Sequence, residues 1–387
     1  MGFFTKRKQD RDTGIQITER PAFPFYIKAP MVIIGLYLFF YILFLLQDII
    51  VPFAFAGLIA ILLNPVYNKL QKWKVNKIIA IILTILLAVI IVVSILLFLS
   101  AQIAQFSEML PQLKAKSLAL WHQLQHWLSV TFGITTQKQT DMVNEAMNGS
   151  KAYVGRTLNT VFGMISVVVL IPIYVFLFLF YKPLILNFIY ELFDEDNSEQ
   201  VAEILQETKT AIQSYIVGLM IETTIIAVLN SIALLLLGVK YAILIGVIGA
   251  ILNLIPYIGG IIAIALPVMM SLITKEGFTT PLLIIGAYGL IQFIDNNIIV
   301  PKVVSSKVSV NALISIVVVL LGGTLWGVSG MFLSIPFVAV LKIIFDRIEE
   351  LKPWGKLLGD KMPAKPPPQV VNVEETDDEP ADKKENE

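Results

Sequence analysis

The longest apolar runs of this chain are long enough to cross a lipid bilayer. Ile78–Leu99 is interrupted only by Thr84 and Ser94, and roughly 20 helical residues cross a hydrocarbon core of ~30 Å. Apolar residues make up 56% of the chain and charged residues 15%, whereas soluble domains contain about 25% charged residues. The sequence therefore predicts an all-α polytopic membrane protein, because lipid is the natural solvent for this excess of apolar side chains.

Six apolar runs are predicted to be full transmembrane helices. They are Met31–Leu46, Ile49–Leu63, Ile78–Leu99, Val161–Tyr181, Val217–Val239 and Pro281–Val300. The first two runs are short and are separated by Asp48, which favours a tight helical hairpin. No small-residue cleavage site follows Met31–Leu46, so this run is predicted to be retained rather than removed as a signal peptide.

Two further runs, Tyr241–Ile273 and Val310–Phe345, are too long for one simple span and complete a set of eight hydrophobic segments. Each run has glycine and proline near its centre, which marks a broken or re-entrant helix. The breaking residues are Pro256, Gly259 and Gly260 in the first run, and Gly322, Gly323, Gly327, Gly330 and Pro336 in the second. Close helix packing is the alternative use of such glycines. A glycine pair at the same place in both runs favours a turn at membrane depth and indicates a weak internal repeat.

The distribution of lysine and arginine predicts the orientation of the spans. If both long runs cross once, there are eight spans, and Lys302 and Lys307 lie outside. If both re-enter, there are six full spans and these lysines lie inside, which the positive-inside tendency favours. Both topologies place the basic N-terminus and the C-terminus in the cytoplasm.

The water-facing segments complete the predicted domain organisation. A helical extramembrane insert follows the first three spans, and an amphipathic segment precedes the fifth span, where it is predicted to lie along the membrane surface. The predicted order is a cytoplasmic N-terminus at 1–30, three helices at 31–100, the insert at 101–158, two helices at 159–239 with the amphipathic segment at 194–216, a motif-rich core at 241–345, and a cytoplasmic tail at 346–387 that is disordered from about 363.

The sequence gives little support for an enzyme, a cofactor or a metal site. The chain has no cysteine and two histidines, His122 and His126, without the glutamate of the zincin pattern between them. These histidines are interpreted as surface or packing residues. No nucleophile elbow or phosphate-binding loop is present, and a net charge of zero does not favour a nucleic-acid partner.

The candidate functional residues lie at the end of the Pro281–Val300 run. Gln292, Asp295 and Asn296 share one helical face, and Asn297 follows them. A carboxylate at membrane depth costs roughly 2.5–3.5 kcal/mol, so Asp295 is a candidate for binding a substrate or a coupling ion. Two alternatives are a helix end, where Asp295 meets headgroup water or pairs with Lys302 or Arg347, and hydrogen bonding between helices.

Two further polar residues lie within apolar runs. Asn253 is one turn before Pro256, where it could face a ligand or satisfy the backbone groups that the proline frees. Glu222 lies about one and a half turns into its span, so it is interpreted as a side chain that snorkels to the membrane surface.

The C-terminal motifs resemble those of the AI-2E family of bacterial transporters, the autoinducer-2 exporter-like or PerM-like permeases. The resemblance rests on Asn253 to Gly260, on Gln292 to Lys302 with Pro301, on Gly322 to Gly330 and on Ser334 to Pro336. It implies a secondary carrier of the bacterial cytoplasmic membrane, in contact with lipid, that exports a small polar solute such as autoinducer-2. It also implies a homo-oligomer, and some members are described as sodium(lithium)/proton antiporters. Family members often have glutamate where this chain has Asp295, which leaves an ionisable group in place.

Three hypotheses follow. The first is a secondary transporter whose path lies between 241–273 and 310–345 and is lined by Asn253, Gln292, Asp295, Asn296 and Asn297. The second is a sodium(lithium)/proton antiporter that uses Asp295. The third is a membrane scaffold that binds a partner through the 101–158 insert.

Overall fold

The structure, a computed structural model, describes residues 24–107, separate positions between 115 and 131, and residues 169–193, 198–255, 259–303 and 310–360. The described positions between 115 and 131 are helical, and His122 and His126 are exposed there. The predicted disordered tail, Pro256, and the remainder of the insert lie outside the described residues. The extramembrane position of the insert stays a prediction.

The described residues form helices, with one isolated bridge between Val310 and Gly359. The helices are α1 (Phe25–Leu45), α2 (Gln47–Lys72), α3 (Lys77–Ser107), α4 (Val169–Glu191), α5 (Ser198–Leu236), α6 (Ala242–Asn253), α7 (Gly259–Thr274), α8 (Thr279–Ile294, continued by a π-helical turn at Asp295–Ile299 and by Val300–Val303), α9 (Ala312–Arg347) and, after a 3₁₀ turn at Glu349–Leu351, α10 (Lys352–Leu358). This architecture confirms the predicted all-α polytopic membrane fold.

Seven of the described helices are long and apolar enough to cross a membrane: α1, α2, α3, α4, α5, α8 and α9. Their large apolar side chains remain exposed along much of their length, as on Ile90 and Phe98 of α3. Such surfaces are stable against lipid rather than water. The helix α9 reverses direction in its middle, at Trp326 and Gly327, so it is not a single span.

The predicted tight hairpin between the first two spans is not formed. A single residue, Leu46, joins α1 to α2, and its φ of −91° and ψ of 15° lie in the bridge region next to the helical one. The Leu46 N–H bonds the Ile42 carbonyl at 2.9 Å, and the Ile50 N–H bonds the Leu46 carbonyl at 2.9 Å. Because the helical hydrogen bonds continue through the joint, the chain bends there instead of reversing, and Asp48 lies within the first turn of α2.

The helices α2, α3 and α4 pack around one apolar cluster. Ala56 and Ala60 of α2 and Ala80 of α3 are buried against Val175 and Leu179 of α4. Small side chains let helices approach closely in a membrane. At the end of this bundle, the Lys182 ammonium donates a hydrogen bond of 3.0 Å to Asn64 Oδ1.

The first long apolar run folds into a helical hairpin, which we call hairpin 1 (α6 and α7). A Cβ atom on Gly249 of α6 would lie 3.4 Å from the Cβ of Ala263 in α7, fourteen positions later. A Cβ on Gly259 would overlap the Leu252 carbonyl. The chain therefore reverses between Asn253 and Gly259, and Gly259 allows the close approach of the two arms at the turn.

The second long run, α9, is also a hairpin, which we call hairpin 2. Trp326 and Gly327 leave the helical conformation, and Gly327 has a φ of 61° and a ψ of −141°. The Ser334 hydroxyl donates to the carbonyl of Val318 at 2.9 Å, whereas 16 residues of continuous helix would separate these positions by about 24 Å. The chain therefore turns back on itself at Trp326 and Gly327.

The glycines of the second motif have distinct structural roles. The backbones cross at Gly322 and Gly330, where a Cβ on either residue would overlap the other residue's carbonyl. Gly323 faces the flexible side chain of Met331. Pro336 is buried within the second arm. At the tip of the hairpin, Trp326 Nε1 donates a hydrogen bond of 3.0 Å to the Leu43 carbonyl of α1.

The bases of the two hairpins lie at opposite ends of α5. Hairpin 1 follows the end of α5, where a Cβ on Gly238 would lie 3.1 Å from Lys275 Nζ beyond the second arm. Hairpin 2 ends at Arg347, which forms ion pairs with Glu203 and Glu207 near the start of α5. The tips of the hairpins therefore point towards each other along α5.

The helix α5 differs in one respect from its sequence-based interpretation. Its 39 residues run without interruption from Ser198 to Leu236, a length of about 58 Å that exceeds a bilayer core. The amphipathic segment predicted at 194–216 therefore continues directly into the span, and its pairing with Arg347 joins it to hairpin 2.

Candidate functional site

Asp295 lies where α8 changes from an α-helix to a π-helical turn. The turn covers Asp295–Ile299 and leads into Val300–Val303, which contains Pro301. Proline has no N–H, so Pro301 cannot form the regular helical bond to the carbonyl of Asn297. The wider turn before it accommodates this missing bond, and π-helical turns within α-helices often occur at functional sites.

Three of the predicted residues form a hydrogen-bonded group around Asp295. Asn253 Nδ2 donates to Asp295 Oδ2 at 3.1 Å. Gln292 Nε2 lies 3.4 Å from the same oxygen and 3.3 Å from Asn296 Oδ1. The group joins the tip of hairpin 1 to α8, and it places Gln292, Asp295 and Asn296 on one face, as the sequence predicted.

The helix-end interpretation of Asp295 is wrong. The residue is only 1% exposed, whereas Lys302 is exposed and forms no ion pair with it among the described residues. Arg347 pairs instead with Glu203 and Glu207. Asp295 is therefore a buried carboxyl group whose described partners are amides.

One oxygen of this carboxyl group has no partner. Asp295 Oδ1 is buried and makes no hydrogen bond to any described residue. A buried polar atom without a partner is destabilising by about 1–3 kcal/mol, so such atoms mark places where a water molecule, ion or ligand fits.

A cavity of about 640 Å³ lies beside this group. It is bounded by α5, both arms of hairpin 1, α8 and both arms of hairpin 2. Its apolar walls include Ile261, Ile264, Val319 and Ile335. Its polar lining residues are Tyr215, Glu222, Asn253, Gln292, Asp295, Asn296 and Ser315. A space therefore lies between the two hairpins, and its use as a transport path stays a prediction.

Gly260 forms part of the polar wall of this cavity. A Cβ at this position would lie 2.8 Å from Gln292 Oε1 and 3.4 Å from Asn253 Oδ1. The absence of a side chain here gives the two amides room to face each other across the tip of hairpin 1.

The interpretation of Glu222 as a snorkelling residue is wrong. Its side chain is 7% exposed and lines the cavity. The buried face of α5 repeats every three to four residues, at Tyr215, Gly218, Glu222, Ile226, Asn230 and Leu234. This helical period could have placed Glu222 inside the protein, because its neighbours on that face are apolar or small.

Asn297 does not join the other predicted site residues. It is exposed, and its amide donates a hydrogen bond of 2.8 Å to the Phe293 carbonyl of its own helix. Its side chain therefore bonds to its own helix instead of lining the cavity.

The lining residues supply hydrogen-bonding groups and two carboxyl groups. No lysine, arginine or histidine lines the cavity among the described residues, and the described residues contain no group of three metal-ligating side chains. This arrangement can hold a small polar solute through amide and hydroxyl groups, or a cation through the carboxyl groups.

Comparison with known proteins adds information that the geometry alone does not. Residues 31–350 match the family described as AI-2E family transporter. The AI-2 transport protein TqsA of Escherichia coli is 24% identical over 317 residues, covering 81% of this chain and 90% of TqsA. The putative transport protein YueF of Bacillus subtilis is 23% identical and covers 78% of this chain and 84% of YueF. A putative transport protein of Haemophilus influenzae is 25% identical, covering 82% and 91% respectively.

Proposed function

The chain belongs to the AI-2E family of transporters, and from this premise we propose that it is a secondary transporter that exports a small polar solute through the cavity between its two hairpins. The observation that carries the proposal is the group formed by Asn253, Gln292 and Asp295, which joins one hairpin tip to α8 at the cavity wall. Discontinuous helices near the centre of the protein are the usual sites of solute binding in secondary transporters.

The chemistry of the cavity supports a hydroxylic solute. The amides of Asn253, Gln292 and Asn296 can both donate and accept hydrogen bonds, and Asp295 Oδ1 is free to accept one. A space of about 640 Å³ lies within the range of small-molecule sites, about 300–1,000 Å³. Autoinducer-2 is the first solute to test, because TqsA is named as a transport protein for AI-2.

Export of autoinducer-2 from loaded membrane vesicles tests this proposal. Asn253→Ala and Gln292→Ala remove one hydrogen bond each from the cavity wall. We expect each variant to lower the export rate about fivefold, since one net hydrogen bond contributes about 1 kcal/mol. Asn297→Ala is the matched control, because its amide lies outside the cavity. Export at the parent rate by Asn253→Ala and Gln292→Ala, at equal expression, would exclude this site.

A second candidate function is sodium(lithium)/proton antiport, which the unpartnered Asp295 Oδ1 favours. Asp295 and Glu222 line one cavity that has no basic residue among its described lining residues. Two carboxylates in such a place are difficult to ionise together without a cation or a proton between them.

A pH-sensitive dye inside vesicles tests this second candidate. Addition of sodium should change the internal pH with the parent chain, and Asp295→Asn should remove the response. The change to asparagine keeps an oxygen that can accept the Asn253 hydrogen bond, so it removes the charge with little change of shape. A sodium response that persists in Asp295→Asn would eliminate this residue as the ion carrier.

The scaffold hypothesis is tested by deletion of residues 101–158. A scaffold should lose its cellular phenotype on that deletion while remaining insensitive to changes at Asn253. The buried polar group at the cavity weighs against this hypothesis, because a scaffold does not need it.

A further inference from the structure

Beyond the cavity, α5 and α8 each carry one more buried polar side chain with an unpaired atom. Asn230, two turns after Glu222 on α5, is 2% exposed. Tyr288, two turns before Asp295 on α8, is 4% exposed. Neither Asn230 Oδ1 nor the Tyr288 hydroxyl has a hydrogen-bond partner among the described residues. Such atoms are rare in folded proteins, because leaving them unpaired is destabilising.

Packing places Asn230 and Tyr288 at the same level along the neighbouring helices α5 and α8. One turn after Asn230, Leu234 packs in the same apolar cluster as Tyr288 and Ile284. One turn before Asn230, Ile226 packs in the same cluster as Ile291. Asn230 therefore lies at the level between Ile291 and Ile284, which is the level of Tyr288 on the neighbouring helix.

The backbone of hairpin 1 approaches Asn230 closely at this level. A Cβ on Gly249 of α6 would lie 3.5 Å from Asn230 Nδ2, so the side of the hairpin next to the amide has no side chain. Asn230 and Tyr288 are thus polar groups with unpaired atoms in a region whose other buried residues are mainly glycine and apolar residues.

An apolar layer separates this region from the cavity. Ile226 of α5, Ala250 of α6 and Ile291 of α8 are buried together in one cluster. Ile226 lies between Glu222 and Asn230 on α5, and Ile291 lies between Tyr288 and Asp295 on α8. The order of groups along both helices is therefore carboxyl group, apolar layer and neutral polar group.

We propose that Asn230 and Tyr288 form a second binding station for the solute, on the side of the cavity where hairpin 1 has its base. This inference rests on the proposed transport function. The amide oxygen accepts hydrogen bonds, and the phenol both donates and accepts them, so the station takes a neutral hydroxylic molecule. The layer of Ile226, Ala250 and Ile291 is the barrier that the solute crosses between the two stations.

Thiol labelling tests whether the station is reached from water. The chain has no native cysteine, so Asn230→Cys and Tyr288→Cys each introduce a single thiol. The matched controls are Leu234→Cys and Ile284→Cys, whose parent side chains are fully buried within one turn on the same helices. We expect a small hydrophilic thiol reagent to react about tenfold faster at 230 and 288 than at 234 and 284, since access controls the reactivity of a thiol. Equal rates in the two groups would overturn the proposal.

Two further variants separate a transport role from a structural one. Asn230→Leu and Tyr288→Phe remove the unpaired atoms with little change of volume, so thermal stability in detergent should stay equal or rise. We expect export of autoinducer-2 to fall about tenfold in each variant, because one hydrogen bond to the moving solute is lost. Export at the parent rate would overturn the station.

The export assay of the parent chain tests the proposed function, and the thiol labelling tests the second station separately. A parent chain that exports no autoinducer-2 contradicts that substrate. The labelling contrast still decides whether the station is open to water and to small hydrophilic molecules.

Discussion

At the scale of single residues, Glu222 shows how position along a helix differs from depth within the protein. Its distance from the start of an apolar run suggested access to the membrane surface, yet its side chain is buried and lines the cavity. The reason is that α5 begins far before the apolar run, at Ser198. The run therefore does not mark where the buried part of the helix begins.

This position leads to a prediction for the isosteric variant Glu222→Gln. A snorkelling glutamate would tolerate the change, whereas a glutamate at the cavity wall would not. We expect transport to fall about tenfold through the altered charge and hydrogen bonding, with unchanged expression. Vesicle export assays measure the effect, and Glu276→Gln serves as a control because Glu276 is exposed in the turn between α7 and α8. Equal export by Glu222→Gln and by the parent chain would show that the charge of Glu222 has no role in transport.

Gly259 leads to a second prediction at this scale. A methyl group at Gly259 would overlap the Leu252 carbonyl and approach Asn253 Cα at 2.8 Å. Backbone atoms cannot move aside as a side chain can, so we expect Gly259→Ala to lower stability by about 1–3 kcal/mol. Thermal unfolding in detergent measures the change. Gly286→Ala on α8 has no atom within 4 Å of the added methyl and should leave stability unchanged or raise it. A Gly259→Ala chain as stable as Gly286→Ala would contradict the described turn of hairpin 1.

At the scale of the elements, hairpin 2 depends on one backbone conformation. Gly327 has a φ of 61° and a ψ of −141°, a combination that is sterically open mainly to glycine. We expect Gly327→Ala to cost about 1–3 kcal/mol of stability through backbone strain, although its methyl would meet no atom within 4 Å.

The control for this variant lies four residues earlier. At Gly323 an added methyl meets the flexible side chain of Met331, which can move, so Gly323→Ala should be milder than Gly327→Ala. Unfolding temperatures in detergent compare the two variants. The reverse order of the two unfolding temperatures would show that contact, rather than backbone strain, controls this turn.

The sequence predicted the two hairpins correctly and the joint after α1 incorrectly, for a physical reason. Glycine pairs within long apolar runs are a local signal, because only glycine allows the backbone approach at Gly259 or the conformation at Gly327. The Asp48 region offered a polar residue between two apolar runs but no residue that forces the chain to reverse. A carboxyl group in the first turn of a helix is favourable, so Asp48 starts α2 without breaking the chain direction.

The part of the site that lies on one helix was predictable from the spacing of its residues. Gln292, Asp295 and Asn296 lie on one helix, and their spacing gives their shared face directly. The hydrogen bond from Asn253 to Asp295 joins residues 42 positions apart, so it depends on the fold of hairpin 1. Asn297 is next to the group in sequence, but its side chain is exposed and bonds to the Phe293 carbonyl of its own helix.

At the scale of the whole molecule, the bases of the two hairpins lie at opposite ends of α5. Hairpin 1 has its base at the end of α5, and hairpin 2 has its base at the start, where Arg347 meets Glu203 and Glu207. The cavity lies at the tip of hairpin 1 and beside the two arms of hairpin 2, at Ser315, Val319 and Ile335.

This arrangement predicts on which side of the membrane each end of α8 lies. If both hairpins re-enter, α8 crosses fully between the base of hairpin 1 and the base of hairpin 2. A cysteine introduced as Glu276→Cys, before α8, should then react with an impermeant thiol reagent from outside the cell, and Lys302→Cys, at its end, should react only after the membrane is opened. Both positions are exposed, and the absence of native cysteine makes the parent chain the unlabelled control. Labelling of both positions from the same side would show that α8 does not cross the membrane. Labelling of Lys302→Cys from outside would reverse the orientation that the distribution of lysine and arginine predicts.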